Sequence, residues 1–180
     1  MDFINNWSDG TVELRALNGN MALYFNSNDF IINSANIDAP ATIEADWSFQ
    51  GLDFGMIMKY NKNGFLLYTL NGSYATLSLV NSDSSGYYGH ILQSTPYVCQ
   101  LNSTITLSAE ITDFTYKFYA NGYLVFSTKY NDNNYRTGNV GLYSYPGNYC
   151  TEFRIKSAVP TGWTFDEPTD KFIGKLGDET

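Results

Sequence analysis

Glu44-Ala45-Asp46 is the carboxylate pair whose spacing could do chemistry. In an extended strand, residues two apart share a face at about 6.5 Å. That lies within the roughly 6.5 to 9.5 Å used by inverting glycoside hydrolysis and beyond the roughly 5 Å of the retaining kind. Both acids would nevertheless approach a sugar from one side, whereas hydrolysis places them across the scissile bond. The pair therefore reads first as a solvated strand face with a share in ligand binding. A second set, Lys59, Glu110, Lys117, Tyr119, Tyr143, Tyr145, Glu152 and Arg154, falls on polar strand positions. Either these form cross-strand pairs worth about a few tenths of a kcal/mol each, or several converge beside Tyr143 or Trp47 as a saccharide site. In such a site a ring stacks on the sugar and charged groups hold its hydroxyls. His90 has no partner at ligand or triad spacing, and the serines are too numerous to single out a nucleophile. Cys99 and Cys150 have no His or further Cys at metal-site spacing. They form either a disulfide, tying a loop before one strand to the last hairpin, or two free buried thiols.

A chain of 180 residues supports one complete core, so one domain is expected. Asp and Glu number 18 against 10 Lys and Arg, for a net charge of -8. With no basic cluster to offset it, that charge argues against nucleic acid and against an anionic membrane surface, and it points to a neutral partner. No apolar run reaches membrane-spanning length, so no membrane insertion is expected. The 15 tyrosines either fill strands or present stacking surfaces with a polar edge.

These groups must be positioned by strands. From Thr104 to Thr128, apolar and polar residues alternate through Ile105, Leu107, Ala109 and Ile111, then Phe114, Tyr116 and Phe118, and Asn121-Gly122 supplies a tight hairpin turn. The same pattern predicts a hairpin from Val12 to Phe25, a short strand at Phe30 to Ile32, and a clear strand at Ala41 to Phe49. Strands at Phe54 to Tyr60, Phe65 to Leu70 and Tyr74 to Val80 follow, and with Ala41 to Phe49 they make a four-strand meander. Asn81 to Gly86 reads as a loop, Tyr87 to Gln93 as a short strand, and Tyr130 to Thr137 as a polar loop. Val140 to Tyr145 and Tyr149 to Lys156 form the final pair. Alternation stops at Ala158, so residues 1–157 are expected to form the domain. Residues 158–180 are expected to be a linker toward a further module, with Trp163 and Phe165 packed on the domain surface. About a dozen short strands without a helix predict an all-β sandwich of two antiparallel sheets.

The order ATIEADWSF, FGMIMKYNKNGFLLYTL, TITLSAEITDFTYKFYANGYLVFST and GNVGLYSYPGNYCTEFRIKS resembles the concanavalin A-like and laminin-G-like jelly rolls over residues 10–157, notably at Asn121-Gly122 and Gly138-Asn139-Val140-Gly141-Leu142. Within that superfamily the pattern is most similar to the non-catalytic carbohydrate-binding modules that accompany glycoside hydrolases. The resemblance implies a ligand site with a basic residue and aromatics from the Phe54 to Leu70 hairpin, here Lys59, Tyr60 and Tyr68. Relatives often carry arginine at the first position, and lysine lacks its planar two-pronged contact. Glu44, Asp46, Tyr143, Tyr145 and Arg154 complete the expected ligand set. The Glu-x-Asp-x-x-Glu signature of the laminarinase relatives is missing, because Trp47-Ser48-Phe49 follows Asp46. The resemblance also implies one calcium ion, with Asp2, Asp9, Asp29 and Glu152 as candidate ligands. The expected role is carbohydrate binding, with a neutral poly- or oligosaccharide as partner, in an extracellular or cell-surface protein with further domains beyond residue 180. A structural or protein-binding adhesion module and a glycoside hydrolase are the alternatives.

Overall fold

The computed structural model describes residues 12–37, 40–157 and 171–173. Strands β1 (Val12–Leu17), β2 (Asn20–Phe25), β4 (Ala41–Ser48), β9 (Thr104–Ile111), β10 (Thr115–Ala120), β11 (Tyr123–Lys129) and β13 (Tyr149–Ser157) form one antiparallel sheet in the order β1-β2-β13-β4-β9-β10-β11. A short β14 (Lys171–Ile173) is added beside β13, with Ile173 opposite Ile155. The second sheet has the order β3-β12-β5-β6-β7-β8, from β3 (Asp29–Ile37), β5 (Phe54–Asn61), β6 (Gly64–Leu70), β7 (Tyr74–Asp83), β8 (Gly86–Pro96) and β12 (Gly138–Ser144). This is the two-sheet sandwich that the alternation predicts. Among the described residues the one helical element is a single 3₁₀ turn at Asn133–Tyr135, capped by Asp132, which accepts a hydrogen bond from the Asn134 amide. No helix among them is long and apolar enough to cross a membrane.

The core is the layer between the sheets. Trp47 on β4 packs its ring 5.7 Å from Phe25 of β2 and 5.3 Å from Phe54 of β5, so one aromatic chain crosses from sheet to sheet. Tyr68 of β6 meets Phe118 of β10 at 4.5 Å and Phe126 of β11 at 6.1 Å. Each of these large side chains contributes about 1.5–3 kcal/mol by leaving water. The hairpins follow their turn residues: Asn18-Gly19 and Asn121-Gly122 both take positive φ, 51° and 85°, then 51° and 83°, which matches the twist of the strands they join.

The strands differ from the sequence expectation in sheet membership and in extent, β8 among them, which runs from Gly86 to Pro96 where Tyr87 to Gln93 is expected. Ala41–Ser48 does not open the meander; β4 lies between β13 and β9 in the other sheet, and the meander is β5-β6-β7-β8. Gln50 to Asp53 is long enough to carry the chain across the sandwich, and alternation does not say which sheet a strand joins. Asn81 to Gly86 is not a free loop. β7 runs to Asp83, whose carboxylate accepts from the Ser85 amide to close a two-residue turn into β8. Phe30 to Ile32 extends to the full β3. Trp163 and Phe165 lie outside the described residues.

The disulfide expectation is corrected: Cys99 and Cys150 are free thiols. Cys150 is buried in β13, and Cys99 packs against the core from the segment after β8. Burial pushes the Cys99 thiol up to about 11 and the Cys150 thiol well up, so both are poor nucleophiles near neutral pH. A reductant is therefore expected to leave the melting temperature unchanged. A thiol reagent at neutral pH is expected to label Cys150 only after unfolding, which mass spectrometry of native and denatured protein checks.

Candidate binding groove on the six-stranded sheet

The outer face of the six-stranded sheet carries apolar and aromatic residues where a solvated face would be polar. Register places them in rows across the strands. One row runs Phe30, Tyr143, Gly55, Thr69, Thr76 and Ser94, and the next runs Ile32, Gly141, Ile57, Leu67, Ser78 and Ile91. Ile32, Ile57, Phe65 and Leu67 form a second apolar cluster separate from the core, with Phe30, Tyr60, Val80 and Tyr143 packed against it. Phe30, Phe65 and Tyr87 contact one another at 5.3 to 5.7 Å between ring centres. The row glycines are required by backbone crowding. A Cβ on Gly55 would stand 1.8 Å from the Tyr68 carbonyl oxygen, and one on Gly141 would stand 2.3 Å from that of Ile31.

A groove of about 710 Å³ lies over this face. Phe30, Phe65, Leu67, Tyr87 and Tyr143 give it rings and apolar surface, and Thr69, Thr76, Ser78, Asn71 and Tyr145 give it hydroxyls and an amide. Asp29 and Asp53 are also among its lining residues, and the Asp29 carboxylate accepts from the Phe30 amide. The segment before β5 is held by Asn148, buried in the turn before β13, whose amide donates to the Leu52 carbonyl (2.8 Å) and whose oxygen accepts from the Gln50 amide (2.7 Å). The Tyr145 amide donates to the Asp53 carbonyl at 2.8 Å, which fixes Tyr145 beside the start of β5. Burial pushes the Asp53 carboxyl above its usual range, partly offset by its own backbone N–H. Burial, then Tyr145 and Asp53, push the Tyr143 hydroxyl up, so it stays a neutral donor and acceptor.

Of the residues singled out in the sequence, Tyr143 and Tyr145 line this groove. Tyr60 lies beyond its aromatic floor, 5.9 Å from the Phe65 ring, and lines a neighbouring depression of about 730 Å³ with Asn61, Asn63, Asn134 and Asn139. Lys59 is corrected. A bulge sets Lys59 and Tyr60 of β5 opposite the single residue Phe65 of β6, with Lys59 at a positive φ of 58°. The bulge turns Lys59 inward, 2% exposed, and its ammonium donates to the carbonyls of Thr112 (2.9 Å), Asp113 (3.2 Å) and Arg136. Tyr68 is corrected too: it is wholly buried, packs against Phe118, and donates its hydroxyl to the Tyr119 carbonyl at 3.1 Å.

Glu44, Asp46 and Arg154 belong to the outer face of the other sheet, on the far side of the sandwich from the groove. Arg154 of β13 bonds Glu44 (3.0 Å), Asp46 (3.0 and 3.1 Å) and Glu152, and Lys156 bonds Glu44 at 2.8 Å. Thr106 donates to Asp46 at 2.7 Å. Burial alone would raise both carboxyls, but Lys156 and Arg154 hold Glu44 below its usual range, and Arg154 and Thr106 do the same for Asp46. Neither is therefore suited to donate a proton to a leaving group. Of the calcium candidates, Asp2 and Asp9 lie outside the described residues. Asp29 and Glu152 stand on different sheets, and Asp29 accepts from the Phe30 amide at 2.7 Å. Among the described residues no group of three or more His, Cys, Asp or Glu is arranged so that it could hold a metal ion. Phe30, Phe65, Tyr87, Asp53 and Asn148 were not singled out in the sequence. The signal for Phe65 was an apolar residue on both sides of β5 and β6, as in Met56-Ile57-Met58 and Phe65-Leu66-Leu67.

No protein-family model matches the sequence, and no match is found among curated proteins. Solved structures do match. A carbohydrate-binding module, CBM66 from Bacillus subtilis, aligns with a TM-score of 0.66 at 13% identity over 82% of this chain and 91% of that one. A glycoside hydrolase family 16 endo-glucanase from Bacteroides ovatus aligns at 0.56 and 11% identity over 78% and 71%. Chicken galectin 2 aligns at 0.50 and 11% identity over 67% and 93%. The chain has the concanavalin A-like jelly-roll fold that these proteins share.

Two outcomes follow from the charged groups. Lys59→Met leaves carbonyls without their donor and is expected to cost about 2–4 kcal/mol in urea unfolding. The folded values of Glu44 and Asp46 lie below the unfolded ones, so their contribution is present above about pH 4 and is lost as pH falls further. Asp53, raised, contributes in the opposite sense. Urea unfolding between pH 7 and pH 3 is expected to show stability falling with pH, less steeply in the double variant Glu44→Gln, Asp46→Asn.

Proposed function

We propose that this domain is a non-catalytic carbohydrate-binding module whose ligand lies along the groove on the six-stranded sheet. One observation carries the reading: rings and hydroxyls line a single groove, with Phe30, Phe65, Tyr87 and Tyr143 beside Thr69, Thr76, Ser78 and Tyr145. A sugar has an apolar C–H face and a rim of hydroxyls, and such a surface can stack on the first while bonding the second. The fold shared with a carbohydrate-binding module and a galectin supports this assignment. The net charge of -8 favours a neutral poly- or oligosaccharide over an acidic one. Glu44 and Asp46 lie on the opposite sheet from the groove and pair with Arg154, which favours binding over hydrolysis by that pair.

The proposed setting is extracellular or at the cell surface, within a polysaccharide-acting or adhesive protein with further domains after residue 180. Both thiols are shielded and raised, which suits unpaired cysteines in an oxidising compartment.

Calorimetry against a panel of neutral oligosaccharides is expected to find a ligand at millimolar or lower concentration, with no reducing sugar released on long incubation. Tyr143→Ala removes a partly buried ring, so it is expected to weaken that ligand about tenfold or more and to lower the melting temperature modestly, with circular dichroism confirming that the variant is folded at the assay temperature. A folded domain that binds no glycan at millimolar concentration, yet captures a protein ligand through this face, overturns the reading in favour of an adhesion module.

A further inference from the structure

The charge of the groove is one-sided. Among the described residues its lining includes two acidic residues, Asp29 and Asp53, and no Lys, Arg or His. The cations that alternation would have offered are committed elsewhere. Lys59 is turned inward onto three carbonyls, and Arg154 and Lys156 are paired on the opposite sheet. Asp53 is half-buried beside Tyr143, and its carboxylate accepts from its own backbone N–H. β3 and β5 flank β12, so the backbones of Asp29 and Asp53 stand about two strand spacings, roughly 9.5 Å, apart. The strand between them carries Tyr143 and leads into Tyr145.

We infer that the groove prefers a saccharide bearing a free, protonated amine, a hexosamine-type unit whose ammonium sits against Asp53 at the Tyr143 end. This rests on the saccharide reading above and narrows it. A neutral sugar can place a hydroxyl on Asp53, but an ammonium makes a charge-assisted bond of about twice the strength. It also brings an opposite charge to the partly desolvated Asp53 carboxylate. The Tyr143 ring adds attraction for the same cation. An acidic sugar meets two like charges and no partner. The overall charge of -8 works in the same direction at long range.

The test is calorimetry at pH 6 and moderate salt with four oligosaccharides of one length: glucosamine, N-acetylglucosamine, glucose and glucuronic acid oligomers. The free-amine oligomer is expected to bind about tenfold tighter than its N-acetylated and neutral counterparts, with the uronate weakest. Asp53→Asn is expected to bring the amine and N-acetyl affinities within about twofold of each other. Glu110→Gln changes the net charge equally but lies on the other sheet, and is expected to leave the preference intact. Equal or weaker binding of the amine, or a preference that survives Asp53→Asn, overturns this inference while leaving carbohydrate binding standing. Failure of all four to bind the folded domain, together with an empty neutral panel, overturns both.

Discussion

The layer of rings between the two sheets is the constraint on which the other features depend. Trp47, Phe25 and Phe54 close one part of it, and Tyr68, Phe118 and Phe126 close another, drawing on both sheets. Successive residues on a strand point to opposite faces, so a residue used in this layer fixes the side of both its neighbours. Met56 and Met58 are in the layer, hence Ile57 is on the outer face; Leu66 and Tyr68 are in it, hence Phe65 and Leu67 are outside. The groove is thus the reverse side of the core. Its apolar floor persists because β5 and β6 are apolar on both faces.

Where the alternation breaks, the chemistry moves. The bulge at Lys59 and Tyr60 sends an ammonium inward to hold carbonyls from the β9–β10 turn and from the segment before β12, and it returns Tyr60 to the outer face. A buried ammonium is tolerated only with such donors' work fully used, and three carbonyls supply that. On the opposite sheet, Arg154 bridges two carboxylates that would otherwise repel. These arrangements take cations away from the groove and leave its charge to Asp29 and Asp53. The electrostatic character of the site is therefore set by residues outside it.

Much of the fold was legible in the residues. Alternation located most strands, and Asn18-Gly19 and Asn121-Gly122 marked hairpins because few other pairs take two positive φ values cheaply. The free state of Cys99 and Cys150 was not legible, since a bond needs proximity and orientation that spacing does not report. Nor was the membership of β4. Its alternation suits either sheet equally, and its place between β13 and β9 depends on strands about 60 and 110 residues further on. The site was legible only in part: Tyr143 and Tyr145 were placed by their strand, while Phe30, Asp53 and Asn148 came from edges and turns where no periodicity speaks.

The sequence by itself determined the class of structure, because a period of two with tight-turn pairs leaves sheets as the one way to bury so many rings. It also determined the sign of the molecule's charge and hence the partners it repels. Tertiary structure alone decided which face is the groove, which cations are withheld from it, and that Glu44 and Asp46 pair with Arg154 on the opposite sheet. The physical reason is that side-chain direction is local, set by each residue's neighbours along the strand. Strand partnership, bulge position and the company a charge keeps are set by contacts between residues far apart in the chain.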